Sequence, residues 1–262
     1  DICPEFDDFL DTDGDLIVDC LEIYGCTDEL ADNYSIEATE QDDSCIYTYN
    51  IDSHIGANLL SYYVLPSLDN FYSSIDFIDT FYSSDNLNGL ISQNSSIVYN
   101  PNGILVGSLI NINRNEGYWV KMNVSDIISL IGYPTPSNLE YSLSQGANLI
   151  SFPSDMAYGV EDALPASLDG VLTSILSEGE SAIYDDTDGW LGSLDQFEGF
   201  KGYWFISNAA VDFQFDLDDG ALARTISKPK QYLSGYEYNQ STMQSFYYIQ
   251  EIPMAESGDW VI

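Results

Sequence analysis

The sequence predicts a mainly β fold, in which small stapled N-terminal modules precede two tandem β-rich repeat domains with short helices. Three observations predict it. The chain of 262 residues contains 20 Tyr and 12 Phe, residue types that favour strands. All four cysteines lie within the first 45 residues. A set of short motifs from the middle of the chain occurs twice in the same order, which indicates a duplication.

Residues 11–22 place carboxylates at the first, third, fifth, ninth and twelfth positions of a twelve-residue loop. Oxygen ligands at this spacing suit Ca²⁺, which takes six to eight of them, and the backbone carbonyl at the seventh position adds one more. An acidic solvated loop is the alternative, but it does not explain why each ligand stands at its expected place. The predicted calcium ligands are Asp11, Asp13, Asp15, Ile17, Asp19 and Glu22.

The four cysteines allow three pairings. We expect Cys3–Cys20, which closes the calcium loop, and Cys26–Cys45, which closes the next module. Disulfides in a short segment with few apolar residues indicate an oxidising compartment, so we predict a secreted protein or one on an extracellular surface. A zinc site is the competing interpretation, but the chain has no CxxC pair and its only histidine, His54, lies outside the cluster.

The second module offers oxygen ligands of its own. A Cys26–Cys45 bond would bring together four side chains that suit a second cation, namely Asp28, Asn33, Asp42 and Asp43. A plain disulfide-bonded knot, in which these residues cap turns, is an equally good interpretation. The sequence leaves the two open.

Two N-terminal segments resemble known families. Residues 25–45, GCTDELADNYSIEATEQDDSC, are similar to the GCTDxxAxNYxxxATxDDGSC repeat of large secreted proteins from marine bacteria and some marine viruses. The preceding loop resembles a thrombospondin type 3 calcium repeat, except that Leu16 stands at the sixth place, where glycine is usual, and Gly14 at the fourth. The resemblance implies a calcium-binding repeat at residues 1–23 and a disulfide module at residues 24–48.

The middle of the chain is an internal duplication. GANLLS at 56–61 recurs as GANLIS at 146–151, NGILVGSL at 102–109 as DGWLGSL at 188–194, and EGYWV at 116–120 as KGYWF at 201–205. These blocks predict β-rich domains at residues 49–135 and 136–216. Short helices are expected within residues 69–82 and 160–176. The layout resembles duplicated domains of secreted bacterial surface proteins, a resemblance that implies no chemistry.

The last segment, residues 217–262, is predicted to be a linker followed by the start of a further β-domain, because its end alternates as strands do. It is similar to the opening of a β-domain in the same secreted proteins. We therefore expect the chain to be a fragment of a longer polypeptide.

The charge narrows the choice of partners. The chain carries 43 acidic and 6 basic residues, a formal net charge of −37, which makes nucleic acids poor partners. Direct membrane insertion is not expected, because no apolar run is long enough. Adaptation to high salt would explain the charge but not the regular spacing in residues 11–22. The expected partners are Ca²⁺ and other copies or other surface proteins, with glycans as a further class.

The sequence does not predict an enzyme. With a single histidine, no nucleophile elbow and no phosphate loop, only carboxylate pairs remain, and these are uninformative among 43 acidic residues. The leading hypothesis is an extracellular calcium-stabilised structural or adhesive protein, a surface, filament or virion component that acts as a spacer or contact module. The alternative is a carbohydrate-binding region of a secreted enzyme that uses Trp190, since Tyr118/Trp119 and Tyr203/Trp204 alternate like core residues.

Overall fold

The structure is a computed structural model that describes residues 10–12, 14 and 16–217. Within this part the chain is mainly β, as predicted, with 21 strands and two short α-helices. Apart from Leu217, the predicted linker and further β-domain at residues 217–262 lie outside the described residues. None of the described helices is long and apolar enough to cross a membrane.

The N-terminal module is small and has little regular structure. Its elements are a 3₁₀ turn at Asp19–Leu21 and a parallel pair of strands, β1 (Tyr24–Gly25) and β2 (Glu40–Gln41). Its core consists of Cys26, Ala31 and Cys45, with Tyr47 packed against them. A core of this size needs a covalent link or a bound ion to hold one conformation.

The first repeat contains ten strands and one helix. They are β3 (Tyr47–Ser53), β4 (Gly56–Ser61), β5 (Val64–Leu65), β6 (Phe71–Ser73), α1 (Ser74–Phe81), β7 (Leu87–Ile91), β8 (Ser96–Tyr99), β9 (Leu105–Gly107), β10 (Asn111–Asn113), β11 (Gly117–Met122) and β12 (Asp126–Pro134). Five strands form an antiparallel sheet in the order β4-β11-β7-β8-β9, and three form a second sheet in the order β3-β12-β5. Strand β6 pairs with β10, beside α1.

The second repeat contains nine strands and one very short helix. They are β13 (Tyr141–Leu143), β14 (Gly146–Ile150), β15 (Tyr158–Gly159), α2 (Val160–Ala163), β16 (Leu172–Leu176), β17 (Ser181–Asp185), β18 (Gly189–Gly192), β19 (Gln196–Phe197), β20 (Tyr203–Ser207) and β21 (Val211–Phe213). The main sheet has the order β14-β20-β16-β17-β18, while β15 pairs with β19 and β13 with β21.

The two main sheets have the same strand order, so the sequence duplication is also a structural one. The asparagine of each GANL motif shows how closely they match. The Asn58 amide donates to the carbonyl of His54 at 2.8 Å and to that of Val120 across the sheet at 3.3 Å. The Asn148 amide makes the equivalent bonds to Ser144 at 2.8 Å and to Phe205 at 3.4 Å. Both amides therefore fasten the start of the edge strand to its neighbour.

Both segments predicted to contain short helices do so. Helix α1 lies within residues 69–82 and begins after Ser73, whose hydroxyl accepts a hydrogen bond from the Asp76 amide. Two short helical elements lie within residues 160–176, namely α2 and a 3₁₀ turn at Ala166–Leu168. Pro165 ends α2, because a proline disfavours helical geometry in the residue before it. The segment Leu172–Leu176 then pairs as a strand between β17 and β20.

Each repeat has a separate hydrophobic core. One core cluster draws on residues 51–130 and the other on residues 139–215. Tyr118 and Tyr203 are fully buried in these cores, which confirms the predicted core role for the two tyrosines. The tryptophan that follows each tyrosine lies half-buried on the opposite face of its strand.

The repeats contact each other through equivalent residues. The amide of Ser61 donates to the carbonyl of Phe200 at 2.8 Å, and the amide of Ser151 donates to the carbonyl of Asn115 at 3.3 Å. In the aligned motifs Ser61 corresponds to Ser151, and Phe200 to Asn115. Each repeat thus contacts the other through the same surface, which is the arrangement of a two-fold symmetric interface. The two repeats pack as a homodimer would, although they belong to one chain.

Close backbone approach defines this inter-repeat interface. Leu59 and Leu149 are 1% and 3% exposed, yet they belong to neither core cluster, because they face the opposite repeat. A Cβ atom on Gly117 would lie 2.8 Å from the carbonyl oxygen of Ile150, and one on Gly202 would lie 2.9 Å from that of Leu60. Glycine is required at both places because the approaching atom belongs to the rigid backbone.

We predict that Gly117→Val lowers the free energy of unfolding by about 1–3 kcal/mol, the usual cost of overpacking a close-packed contact. The added side chain must push the repeats apart, because it meets a carbonyl oxygen rather than a flexible side chain. Urea denaturation measures the effect. Lys121→Val is the matched control, since Lys121 is exposed on the same strand. Equal stability of the two variants would contradict the interface.

Candidate functional site

The predicted calcium loop begins at Asp11, whose carboxylate organises the turn that follows. Its Oδ1 accepts from the amide of Gly14 at 2.7 Å, and its Oδ2 accepts from the amide of Leu16 at 3.1 Å. Two of the predicted ligands, Asp13 and Asp15, lie outside the described residues. The carboxylate of Asp11 is thus held over the loop by backbone amides.

The other end of the loop is closed by Asp19. Its amide donates to the carbonyl of Leu10 at 2.8 Å, and its carboxylate accepts from the hydroxyl of Thr12 at 2.6 Å and from the Thr12 amide at 2.7 Å. The bond from the Thr12 hydroxyl lowers the pKa of Asp19 below its usual value, so this carboxylate is ionised at neutral pH. Ile17 is half-buried between these ends.

Glu22, the predicted bidentate ligand, follows the 3₁₀ turn. The hydroxyl of Tyr24 donates to its Oε2 at 2.9 Å, and this bond raises the pKa of Tyr24. Among the described residues, no three His, Cys, Asp or Glu side chains form a group that would hold a metal ion. The donor chemistry fits a hard cation, since the described ligands offer carboxylate oxygens. Calcium binding by the complete set stays a prediction.

Leu16, where glycine is usual, has the backbone geometry that such a glycine provides. Its φ is +79°, in the left-handed region, and Gly14 two residues earlier has φ +85°. A side chain in this region costs roughly 1–2 kcal/mol. The Leu16 side chain is 91% exposed and does not offset this cost by burial. The loop therefore has the expected sharp turn but carries local strain.

The second module uses its polar residues to build turns. Cys26 and Cys45 form the disulfide predicted from the sequence. Asn33 spans the module, because its amide donates to the Ser44 carbonyl at 2.7 Å and its side-chain oxygen accepts from the Ile46 amide at 2.7 Å. Cys20 is also disulfide-bonded, and its predicted partner Cys3 lies outside the described residues.

The acidic residues of the tentative second cation site have similar roles. Asp28 accepts from the hydroxyl of Tyr47 at 2.6 Å, which lowers the pKa of Asp28, while burial and this bond raise the pKa of Tyr47 to about 12. Asp42 accepts from the Ser44 amide at 3.0 Å, and Asp43 takes a left-handed turn with φ +61°. These contacts favour the interpretation in which the residues cap turns of a disulfide-bonded knot.

Trp190, the aromatic residue of the carbohydrate-binding alternative, is not a free platform. It lies half-buried in β18 and packs against the core of the second repeat. Its ring meets that of Tyr184 edge to face, with 5.4 Å between the ring centres. Only part of the Trp190 ring therefore faces solvent, and the carbohydrate-binding alternative stays a prediction.

The only histidine lies at the inter-repeat interface. His54 Nε2 is 2.6 Å from the carboxylate of Glu178, whose other oxygen accepts from the amide of Leu59 at 2.9 Å. At the equivalent place in the other repeat, Gln93 accepts from the amide of Leu149 at 2.9 Å. The hydrogen bond to the Ile55 carbonyl, followed by Glu178, raises the pKa of His54. The His54–Glu178 contact thus joins the repeats.

The structure also contains a cleft of about 570 Å³ that the sequence did not reveal. It lies at one end of the inter-repeat interface, and its main lining residues are Asn70, Phe71, Asn113, Asn115, Asn138 and Glu140. We call it the asparagine cleft. The residues come from separate segments, none of which forms a recognisable motif. The one available signal was the difference between the aligned repeats, which have Asn115 and Phe200 at the same place.

We predict that Leu16→Gly stabilises the closed loop by about 1 kcal/mol, because glycine adopts a positive φ without strain. Hydrogen exchange of the Asp19 amide, which closes the loop onto Leu10, measures the change and should become slower. Leu30→Gly is the control, since Leu30 is 86% exposed and has no positive φ. Faster exchange in Leu16→Gly would contradict the assignment of strain.

We predict that the His54–Glu178 pair makes stability depend on pH near neutrality. The pKa of His54 is higher in the folded state than its ordinary 6.5, so its contribution is complete below 6.5 and is lost as pH rises through the folded value. Urea denaturation at pH 6 and pH 8 should show higher stability at pH 6. His54→Asn should remove this difference, whereas an unchanged difference in that variant would assign the dependence to another group.

Comparison with protein-family models, with curated proteins and with solved structures finds no match for this chain. Function must therefore be inferred from the geometry of the chain itself. The features that carry such an inference are the disulfide-bonded N-terminal module, the inter-repeat interface and the asparagine cleft.

Proposed function

We propose that this chain is an extracellular, calcium-stabilised structural or adhesive protein, which acts as a spacer or contact module in a surface, filament or virion component. Its partners would be Ca²⁺ and other copies or other surface proteins. The role needs no catalysis. The observation that carries the proposal is that consecutive modules are fastened to one another instead of being joined by free linkers.

The first fastening joins the disulfide module to the first repeat. Within the module the amide of Asp32 donates to the carbonyl of Ile46 at 2.8 Å, and at the junction its carboxylate accepts from the hydroxyl of Thr48, in β3, at 2.7 Å. Tyr47, at the start of β3, reaches back to Asp28. These contacts lie where the chain passes from one module to the next, so they oppose bending at that point.

The second fastening is the inter-repeat interface. It combines reciprocal backbone hydrogen bonds with two buried leucines and the His54–Glu178 pair. The hydroxyl of Tyr49, in the first repeat, adds a hydrogen bond of 2.7 Å to Asp155 in the second. Repeats held in this way transmit force and keep a defined spacing, which is what a spacer requires.

Calcium would act on the loop at residues 11–22, which precedes these modules. The chain has 43 acidic residues, and none of its 6 basic residues precedes Arg114. Carboxylates gathered in residues 11–22 repel one another until a cation neutralises them, so ion binding converts a loose segment into a rigid connector. Extracellular modules bind Ca²⁺ at about 10⁻⁴–10⁻³ M, an affinity suited to a medium rich in calcium. The disulfides support the same extracellular setting.

We predict that chelation with EGTA lowers the thermal midpoint and exposes residues 1–45 to protease, while the two repeats stay resistant. Mass spectrometry of the limited digest locates the cuts. Asp11→Asn and Asp19→Asn should reproduce the effect in the presence of Ca²⁺, because each removes a ligand charge. Asp169→Asn is the control with the same charge change at an exposed position of the second repeat.

Identical cleavage with and without EGTA would rule out calcium as the stabilising ion. Equal effects of Asp169→Asn and Asp11→Asn would assign the change to total charge instead. Isothermal titration with CaCl₂ separates these outcomes, since only a specific site has a defined stoichiometry.

A further inference from the structure

The two ends of the inter-repeat interface differ, although the repeats are equivalent. At one end Phe200 of the second repeat lies between Tyr49 and Tyr63 of the first, with ring centres 5.0 Å and 5.9 Å away. Tyr49 and Tyr63 also contact each other edge to face, at 5.9 Å. Three aromatic rings therefore fill this end.

The opposite end has smaller residues at the same three places. Asn115 corresponds to Phe200, Leu139 to Tyr49, and Pro153 to Tyr63 in the aligned repeats. Two of these smaller residues, Asn115 and Leu139, line the asparagine cleft, so this end of the interface holds a cavity where the other end holds rings. Its volume of about 570 Å³ lies within the range of about 300–1,000 Å³ that small-molecule sites usually have. The cleft is therefore a specific difference between the repeats.

Four asparagine side chains in the lining of the asparagine cleft are not used within the described part of the protein. The side-chain amides of Asn70, Asn113, Asn115 and Asn138 make no hydrogen bond to any other residue in the described part of the chain. By contrast, Asn58 and Asn148 are fully engaged in their own repeats. Each free amide offers both donors and an acceptor, which is the pattern that hydroxyl groups match.

Phe71 adds an apolar contact to this polar lining. Its side chain is 50% exposed, and it pairs with Asn113 across β6 and β10, so the ring and the amide lie side by side. An aromatic face beside amides suits a ring that has an apolar side and hydroxyls at its edge. Glu140 and Glu116, both in the lining, oppose anionic ligands and accept hydrogen bonds from hydroxyls.

The walls of the cleft are held by one buried cation. Arg114 is 1% exposed, and its Nε donates to the carbonyl of Asp69 at 3.0 Å while its backbone amide donates to that of Asn70 at 2.9 Å. On the other side its Nη1 donates to the carbonyl of Tyr133 and the hydroxyl of Thr135, both at 3.1 Å. The segment with Asn70 and Phe71 and the segment leading to Pro136 are thus fixed by the same guanidinium. Such fixing reduces the entropy lost on binding.

We propose that the asparagine cleft binds a neutral carbohydrate, through the amides of Asn70, Asn113, Asn115 and Asn138 and the ring of Phe71. The amides bond the hydroxyls, and Phe71 packs against the apolar face of a sugar ring. This adds a ligand to the proposed spacer role and does not depend on calcium at residues 11–22. Loss of glycan binding leaves calcium binding intact, and loss of calcium binding leaves glycan binding intact, so the two proposals are tested separately.

The test starts from the intact chain with Ca²⁺ present. A printed array of neutral and anionic glycans, followed by saturation-transfer NMR with glucose, mannose, galactose, N-acetylglucosamine, cellobiose and chitobiose, identifies binding. We expect a neutral glycan to bind. Asn115→Phe, which copies the filled end of the interface, should abolish this binding. Phe71→Ala should weaken it by about two- to tenfold, the range of one aromatic contact.

Asn102→Phe is the matched control, because Asn102 is exposed in the same repeat and outside the cleft, and it should bind as the parent does. Thermal melting checks that each variant is folded. If Asn115→Phe does not fold, Asn138→Ala at the exposed rim replaces it. No binding to any neutral glycan, a preference for anionic glycans, or unchanged binding by the folded cleft variants would overturn the proposal. Loss of binding in Trp190→Ala alone would also overturn it.

Discussion

The structure depends on the close approach of two equivalent surfaces within one chain. Gly117 and Gly202 lie against carbonyl oxygens of the opposite repeat, and Leu59 and Leu149 are buried only because that repeat covers them. Apolar burial and backbone hydrogen bonds act together here. The amides of Ser61 and Ser151, at the ends of the edge strands β4 and β14, each donate to a carbonyl of the other repeat. Without this contact both edge strands would be exposed, and the two repeats would move independently.

A chain with net charge −37 must limit self-repulsion, and this one does so by different means in different regions. In the repeats two hydrophobic cores supply the stability, and acidic residues stay at the surface. In the N-terminal module, where the core is only three residues, disulfides and turn-capping carboxylates replace apolar burial. Bound Ca²⁺ would complete this replacement in the first loop. The stability of this acidic segment would therefore depend on the Ca²⁺ concentration and the redox state of the medium.

Duplication followed by divergence explains why one interface has two kinds of end. The filled end, with Phe200 among tyrosines, adds aromatic packing and needs no ligand. The open end exposes amides beside segments fixed by Arg114, whose charge is stabilised by carbonyl oxygens. Burial lowers the pKa of Arg114 to about 10, which leaves it charged at neutral pH. The two ends of one symmetric contact thus differ in chemistry, with aromatic rings at one end and asparagine amides at the other.

The sequence by itself determined the β class and the duplication, because strand composition and repeated motifs are local signals. It predicted the Cys26–Cys45 disulfide as one of three possible pairings, and the structure decided between them. It did not set where the short helices end. Residues 160–168 have helical spacing and form two short helical turns, whereas Leu172–Leu176 pairs with β20 as a strand.

Only the tertiary structure decided the inter-repeat interface, the His54–Glu178 pair and the asparagine cleft. The members of the pair are 124 residues apart in sequence, so no spacing rule connects them. The cleft arises from missing rings, and an absent side chain leaves no motif in a single sequence. Chain composition determines which surfaces must be buried, but three-dimensional proximity determines which residues meet.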